Sequence, residues 1–244
     1  MNKYIQDWLD VIENMNNDNT YKLAWGIAIL EIINSLEDIK ETNIIHFKEI
    51  AKKMIEYYWN QTFFFDLTQG KNINKTPVLV QQVKELIESY KESTGNNEPI
   101  HFENTKINLD EKVHEDFLNK SVKTLQDNVC SRFKNCRRKV KELYVLNKDD
   151  FYISFTEDQV LALKNYNYVL SQLLCYKWNQ LLEMYNTGSS TKDNHNKQQR
   201  RIDLVNYKNE LLKEKESNQT SELPNNHLPI IQIIPWSFMH GDNV

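Results

Sequence analysis

Glycine and proline are scarce, five of each in 244 residues. Turn-rich sandwiches and barrels depend on both, so their scarcity points to helices. The three cysteines, Cys130, Cys136 and Cys175, are odd in number and widely spread. They read as reduced thiols and not as a disulfide framework. No C-x-x-C, H-E-x-x-H or calcium-loop spacing occurs, and His195, His227 and His240 have no partner at ligand spacing. The expectation is therefore no metal and no cofactor. Single, scattered glycines make no phosphate-cradling loop, and there is no Gly-x-Ser-x-Gly elbow. The opening "MNKYIQDWLDVIENM" is acidic and amphipathic, without an apolar secretion core. The longest apolar stretch, "LAWGIAILEII", is too short to span a bilayer and contains Glu31. A cytoplasmic protein without membrane contact is expected. An excess of positive charge is missing too: 30 basic against 34 acidic residues leave a net charge of -4. Contact with nucleic acid would have to come from a local patch.

What is present is helical periodicity. Tyr4, Ile5, Trp8, Leu9 and Ile12 share one stripe. Thr20 is placed to cap a second helix whose "LAWGIAILEII" is apolar nearly all round, as a central core helix would be. Phe47, Ile50, Ala51, Met54, Ile55 and Tyr58 define a third helix running into "YYWNQTFFFDL". Thr76 and Pro77, cap and first-turn proline, open "PVLVQQVKELIESY". Leu118, Val122, Leu125, Val129 and Phe133 mark another helix. "ELYVLNKDDFYISF" reads as a β-hairpin turning at "NKDD". Thr156 and Gln159 form a capping-box pattern before a long helix carrying Leu163, Tyr166, Leu170, Leu174, Trp178 and Leu181. "NTGSSTKDNHNKQQ" is a linker, followed by a charged helix, "RRIDLVNYKNELLKEKE", and an apolar terminal strand. The expected fold is mainly α: a multi-helix domain over 1–186 with a small β-hairpin, a linker over 187–199, and an appendage over 200–244.

Few constellations carry chemistry. Cys130 and Cys136 lie six apart on an expected helix, about 240° around it, and so face different directions. "YYWNQTFFFDLTQG" continues an apolar stripe and reads as core packing more than as a base-stacking platform. "SRFKNCRRKVK" is the main electrostatic feature. Arg132, Lys134, Arg137, Arg138, Lys139 and Lys141 follow one another with no acid among them. They read either as a solvated face at a helix end, where cations suit the macrodipole, or as a surface for nucleic-acid phosphates.

The terminal "IIPWSF" followed by "DNV" resembles the "DHFIPWSF…DN.WNLV" segment of bacterial HNH endonucleases. "TYKLAWGIAILEII", "IHFKEIAKKMIEYYW" and "KTPVLVQQVKELI" resemble the helical region preceding the nuclease in one subgroup, and "VLSQLLCYKWNQLLEMYN" and "RRIDLVNYKNELL" its later helices. The resemblance implies that residues 200–244 form a partial ββα-metal unit, a short β/α appendage. It also implies a setting in restriction or antiphage defence, with DNA and a second protein subunit as partners. The departures matter more. The family's Asp-His pair, metal ligand and general base, falls on Ile231 and Gln232. Isoleucine cannot ligate a metal and a glutamine amide cannot take a proton at neutral pH. A chain without hydrolytic activity of its own is implied, acting as a binding or scaffolding subunit. Two alternatives are an active endonuclease completed by a second polypeptide and a helical interaction module without nucleic acid. Ile230, Ile231, Ile233, Ile234, Trp236 and Phe238 are the candidate partner-binding residues, because so apolar a strand needs a cover.

Overall fold

The computed structural model describes residues 2–187, except 66, 73 and 106–110. Ile231, Gln232, the apolar strand that contains them, the linker after Thr187 and the charged segment over 200–216 all lie outside the described residues. So do His195, His227 and His240.

The described chain is mainly helical with a small antiparallel sheet. Helix α2 (Tyr21–Ser35) is its centre, with every residue from Leu23 to Leu30 buried, as its all-round apolar sequence requires. Helices α1 (Lys3–Asn14), α3 (Phe47–Phe65) and α7 (Glu157–Thr187) build the rest of the core, with α2 packed against α3 and α7 and α1 against α7. On the far side of α3 lie α4 (Val78–Thr94), the single turn α5 (Phe102–Thr105) and α6 (Glu111–Asn128). Gly26 permits the closest approach in this core. A Cβ there would sit 3.0 Å from the Phe133 ring and 3.1 Å from Leu174 Cδ1. Among the described residues no helix is long and apolar enough to cross a membrane.

The expected hairpin forms from β4 (Val145–Asn147) and β5 (Tyr152–Thr156), but it is not alone. Strand β1 (Thr42–His46) pairs along the whole of β5, giving the order β1-β5-β4. Alternation orients the sheet: Ile45, Ile153 and Phe155 go to the core, while Thr42, Ile44 and His46 face outward. Each long strand turns directly into a helix, β1 into α3 and β5 into α7. At the second corner the capping box forms: Gln159 N–H donates to Thr156 Oγ1 (3.3 Å) and Thr156 N–H to Gln159 Oε1 (3.0 Å).

Several local expectations are corrected. Thr20 does not cap α2 with its side chain. Its buried hydroxyl donates to Gln69 Oε1 (3.0 Å) and bonds the Tyr58 hydroxyl (2.8 Å), while Asn19 Oδ1 accepts the Tyr21 N–H (3.0 Å). Pro77 is the residue before α4 and not within it, and the Leu79 N–H is satisfied from another helix by the Tyr21 hydroxyl (2.5 Å). Helix α6 ends at Asn128, so Cys130, Phe133 and Cys136 lie beyond it. Tyr166, expected on the core stripe of α7, points outward, whereas Leu163, Leu170, Leu174 and Trp178 are buried.

Candidate nucleic-acid interface

The basic block spans the turns after α6 and a hairpin. After α6 the chain makes tight turns and then a miniature hairpin, β2 (Asn135–Cys136) paired with β3 (Lys139–Val140). The turn between them is Arg137–Arg138, and both residues have positive φ, 45° and 68°. Two successive positive φ values are the mark of a type I′ hairpin turn, which usually selects Asn-Gly. The block thus begins in the turns that follow α6, where the Phe133 N–H still donates to the Val129 carbonyl (3.0 Å), and from Asn135 onward it belongs to the hairpin and not to a helix.

The hairpin is pinned to one face of α1. Asp7, Asp10 and Asn14 stand at i, i+3 and i+7, beside the stripe of Ile5, Trp8, Val11 and Ile12 that enters the core. Lys141 Nζ meets Asp7 (2.5 Å) and Asp10 (2.9 Å). Arg137 donates through Nε to Asn14 Oδ1 (2.9 Å), with a second guanidinium nitrogen on the same oxygen. The Cys136 thiol donates to the Asp10 carbonyl (3.3 Å). Beneath the hairpin, Phe133 stacks on Tyr144 and meets Trp8 edge-on. The Tyr144 hydroxyl donates to the Cys130 carbonyl (2.7 Å) and accepts from Trp25 Nε1 (3.1 Å).

These contacts divide the six cations. Lys141 is consumed by its two carboxylates. Their hydrogen bonds raise its pKa above the ordinary lysine range, and its own hydrogen bond holds Asp10 below the usual carboxylate value. Lys134 is half-buried, its ammonium 5.3 Å from the centre of the Tyr144 ring, and burial lowers its pKa. Arg137 bonds a neutral amide and not a carboxylate, but its fork is occupied by Asn14 Oδ1. Arg132, Arg138 and Lys139 are exposed and have no carboxylate within ion-pair distance among the described residues. Lys22, at the start of α2, extends the patch. Burial lowers its pKa, Asp18 opposes the fall, and the nearby charge of Arg132 adds to it. The surface able to meet an anionic strand is thus Arg132, Arg138 and Lys139, with Arg137 and Lys22 at its margins. Lys22 carried no signal in the sequence, because it stands alone in an apolar helix.

The other candidates are structural. Tyr57, Tyr58, Trp59, Asn60 and Gln61 are all buried and offer no stacking surface, while Phe63, Phe64 and Phe65 are half-buried. Asn60 Oδ1 accepts the Phe102 N–H (3.3 Å), and Gln61 Oε1 accepts from Gln69 (2.5 Å). Glu31 meets Lys53 at 3.1 Å between α2 and α3. Burial, and secondarily the Glu31 charge, push the Tyr57 hydroxyl and Cys175 thiol far toward their neutral forms. Burial raises the Cys130 thiol as well, so neither thiol is poised as a nucleophile. Among the described residues no three His, Cys, Asp or Glu side chains converge to hold a metal ion. No family model matches the chain, and no curated protein or solved structure matches it.

Proposed function

We propose that this protein binds the phosphate backbone of nucleic acid through the β2–β3 hairpin, and that it is an HNH-endonuclease relative whose own chain does not hydrolyse. The observation that carries the reading is the hairpin tip. Arg138 and Lys139 stand at a turn anchored on α1, and Arg132 flanks them without a neutralising acid. Cations held this way lose little freedom on meeting phosphate, and they add affinity that does not depend on base sequence. The loss of hydrolysis rests on Ile231 and Gln232, which supply neither a metal ligand nor a base. The resemblance favours DNA as the nucleic acid, restriction or antiphage defence as the setting, and a second subunit as a further partner.

The test is salt-dependent binding of the full-length protein to labelled duplex DNA. Three to four neutralised phosphates give a log-log slope of about -3, from roughly 0.9 per phosphate. Replacing Arg132, Arg138 and Lys139 together by Ala should flatten that slope by about 2.5 units and leave the helical circular dichroism unchanged. Equal binding by the triple variant at every salt concentration would reject the hairpin as the interface. Incubation with magnesium, manganese or zinc should leave plasmid intact. Cleavage that follows the protein peak and stops with chelator would instead support a nuclease completed by a second polypeptide.

A further inference from the structure

Helix α1 offers the hairpin two kinds of partner. Asp7 and Asp10, the carboxylates, take Lys141. Asn14, a neutral amide one turn further on, takes Arg137. Its orientation is fixed from behind, because Nδ2 donates to the Asp10 carbonyl (3.0 Å) and leaves Oδ1 to face the hairpin. The same Asp10 carbonyl receives the Cys136 thiol (3.3 Å), which holds the residue next to Arg137. Oδ1 accepts from Nε (2.9 Å) and from Nη2, the two nitrogens along one side of the guanidinium. A planar guanidinium carries five N–H groups, so Nη1 and the outer hydrogen of Nη2 stay available along its terminal edge. Arg137 is exposed, and no carboxylate lies within ion-pair distance of it among the described residues. The Asp10 pKa is lowered first by Lys141 and least by the Arg137 charge.

We propose that Asn14 is a positioning residue for the nucleic-acid contact: it turns the terminal edge of Arg137 toward one backbone phosphate without neutralising it in an ion pair. The inference rests on the reading of the hairpin as a nucleic-acid interface, and it makes Arg137 an anchor within that interface. Two parallel N–H groups on that edge match two oxygens of a phosphate, and such charge-assisted forks are among the stronger polar contacts. An arginine already held by one side loses less side-chain freedom when the phosphate arrives. The alternative role for Asn14 is to fasten the hairpin and nothing more. For fastening alone a carboxylate would serve better, since both bonds would then join opposite charges. Helix α1 uses carboxylates for that purpose at Asp7 and Asp10, where the lysine is spent as a clamp. At Asn14 it places an amide of the same shape as aspartate, and the charge of the cation it holds stays uncompensated.

Salt-dependent binding of the full-length protein to labelled duplex DNA tests the inference, with thermal unfolding measured beside it. Asn14→Asp keeps the shape of the side chain and turns the contact into an ion pair. Its unfolding midpoint should stay level or rise, while binding weakens at least about tenfold and the log-log slope flattens by about 0.9, one phosphate contact. Asn119→Asp on the exposed side of α6 adds the same charge elsewhere and should leave the slope unchanged. Asn14→Ala frees Arg137 without an ion pair, so binding should weaken about threefold at constant slope. Arg137→Lys keeps the charge and loses the fork, and should also weaken binding at constant slope. Binding and slope in Asn14→Asp equal to those of Asn119→Asp would overturn the inference and leave the hairpin reading intact. A joint fall in binding and unfolding midpoint in Asn14→Asp would overturn it too, because Asn14 would then be a fastener only. A parent that does not bind at any salt concentration would remove the hairpin reading itself, and this inference with it.

Discussion

Two helices, α3 and α7, begin in the same way and end up in different surroundings. Each leaves a strand of the same antiparallel pair without an intervening loop, and each start is closed by a side chain three residues in. Glu49 accepts the His46 N–H (2.9 Å), as Gln159 accepts that of Thr156. Helix α3 is then enclosed by α2, α4, α5 and α6, and buries six successive residues from Tyr57 to Thr62. Helix α7 is covered on one side by α1, α2 and the sheet, and never buries more than two successive residues. An apolar outward face is explained for α3 by its neighbours. On α7 the outer face carries Tyr166, Val169, Leu173 and Tyr176, all exposed. The contrast shows that the shared corner sets where a helix starts and that its partners set which sides must be apolar.

Truncations should separate the two helices most widely. Trp59 is buried against Phe63, Tyr90 and Phe102, and its indole N–H donates to the Ile100 carbonyl (2.8 Å). Trp59→Ala should cost about 3–5 kcal/mol in chemical denaturation, through lost burial and a residual cavity. Leu173→Ala on the outer face of α7, where the side chain is 36% exposed, should cost less, about 1 kcal/mol. Glu88→Ala on α4 should fall within the roughly 0.5 kcal/mol limit for open surface sites. A Leu173 effect as large as that of Trp59 would mean that this face is as tightly enclosed as the end of α3.

A smaller effect concerns the hairpin clamp. The Lys141 hydrogen bond, and then that of Gln6, lower the Asp10 pKa below its ordinary 3.8. A carboxyl depressed by folding contributes stability above its unfolded pKa and loses it as pH falls through the folded value. Amide chemical shifts of Cys136 and Lys139 should therefore hold steady at neutral pH and move together only below about pH 4. Asp10→Asn should flatten the part of that titration due to Asp10, while reporters on α3 show no such step in either protein.

The parts legible in the sequence are those governed by period and burial. The stripe of α3, the all-round apolarity of α2 and the capping box at Thr156 follow from local chemistry, and each forms. Strand β1 was hidden because "TNIIH" is too short to separate from the helix it enters, and its pairing partner lies more than a hundred residues away. Thr20 and Pro77 misled for a related reason. Their expected caps are local, whereas Tyr58, Gln69 and Tyr21 reach them through tertiary packing. For the site, the six cations were visible as a block, but their division was not. It depends on Asp7, Asp10 and Asn14, whose spacing on α1 has meaning only once a hairpin turns against them. That hairpin lacked its usual signal, since Arg137–Arg138 stands where Asn-Gly is the common choice.

That substitution of arginine for the easier residues sets two selective pressures against each other. An L-residue other than glycine or asparagine held in the left-handed region costs about 1–2 kcal/mol. Arg137→Asn with Arg138→Gly would relieve much of that strain, raising Tm by about 2–4 °C for each kcal/mol recovered. The same change removes one of the exposed cations at the tip and one that is already engaged, so DNA retention should weaken as the fold firms. A screen for heat resistance alone would discard these arginines, and a screen for binding alone would keep them. Any lineage that conserves both is accepting a less stable turn in exchange for where it puts its charge.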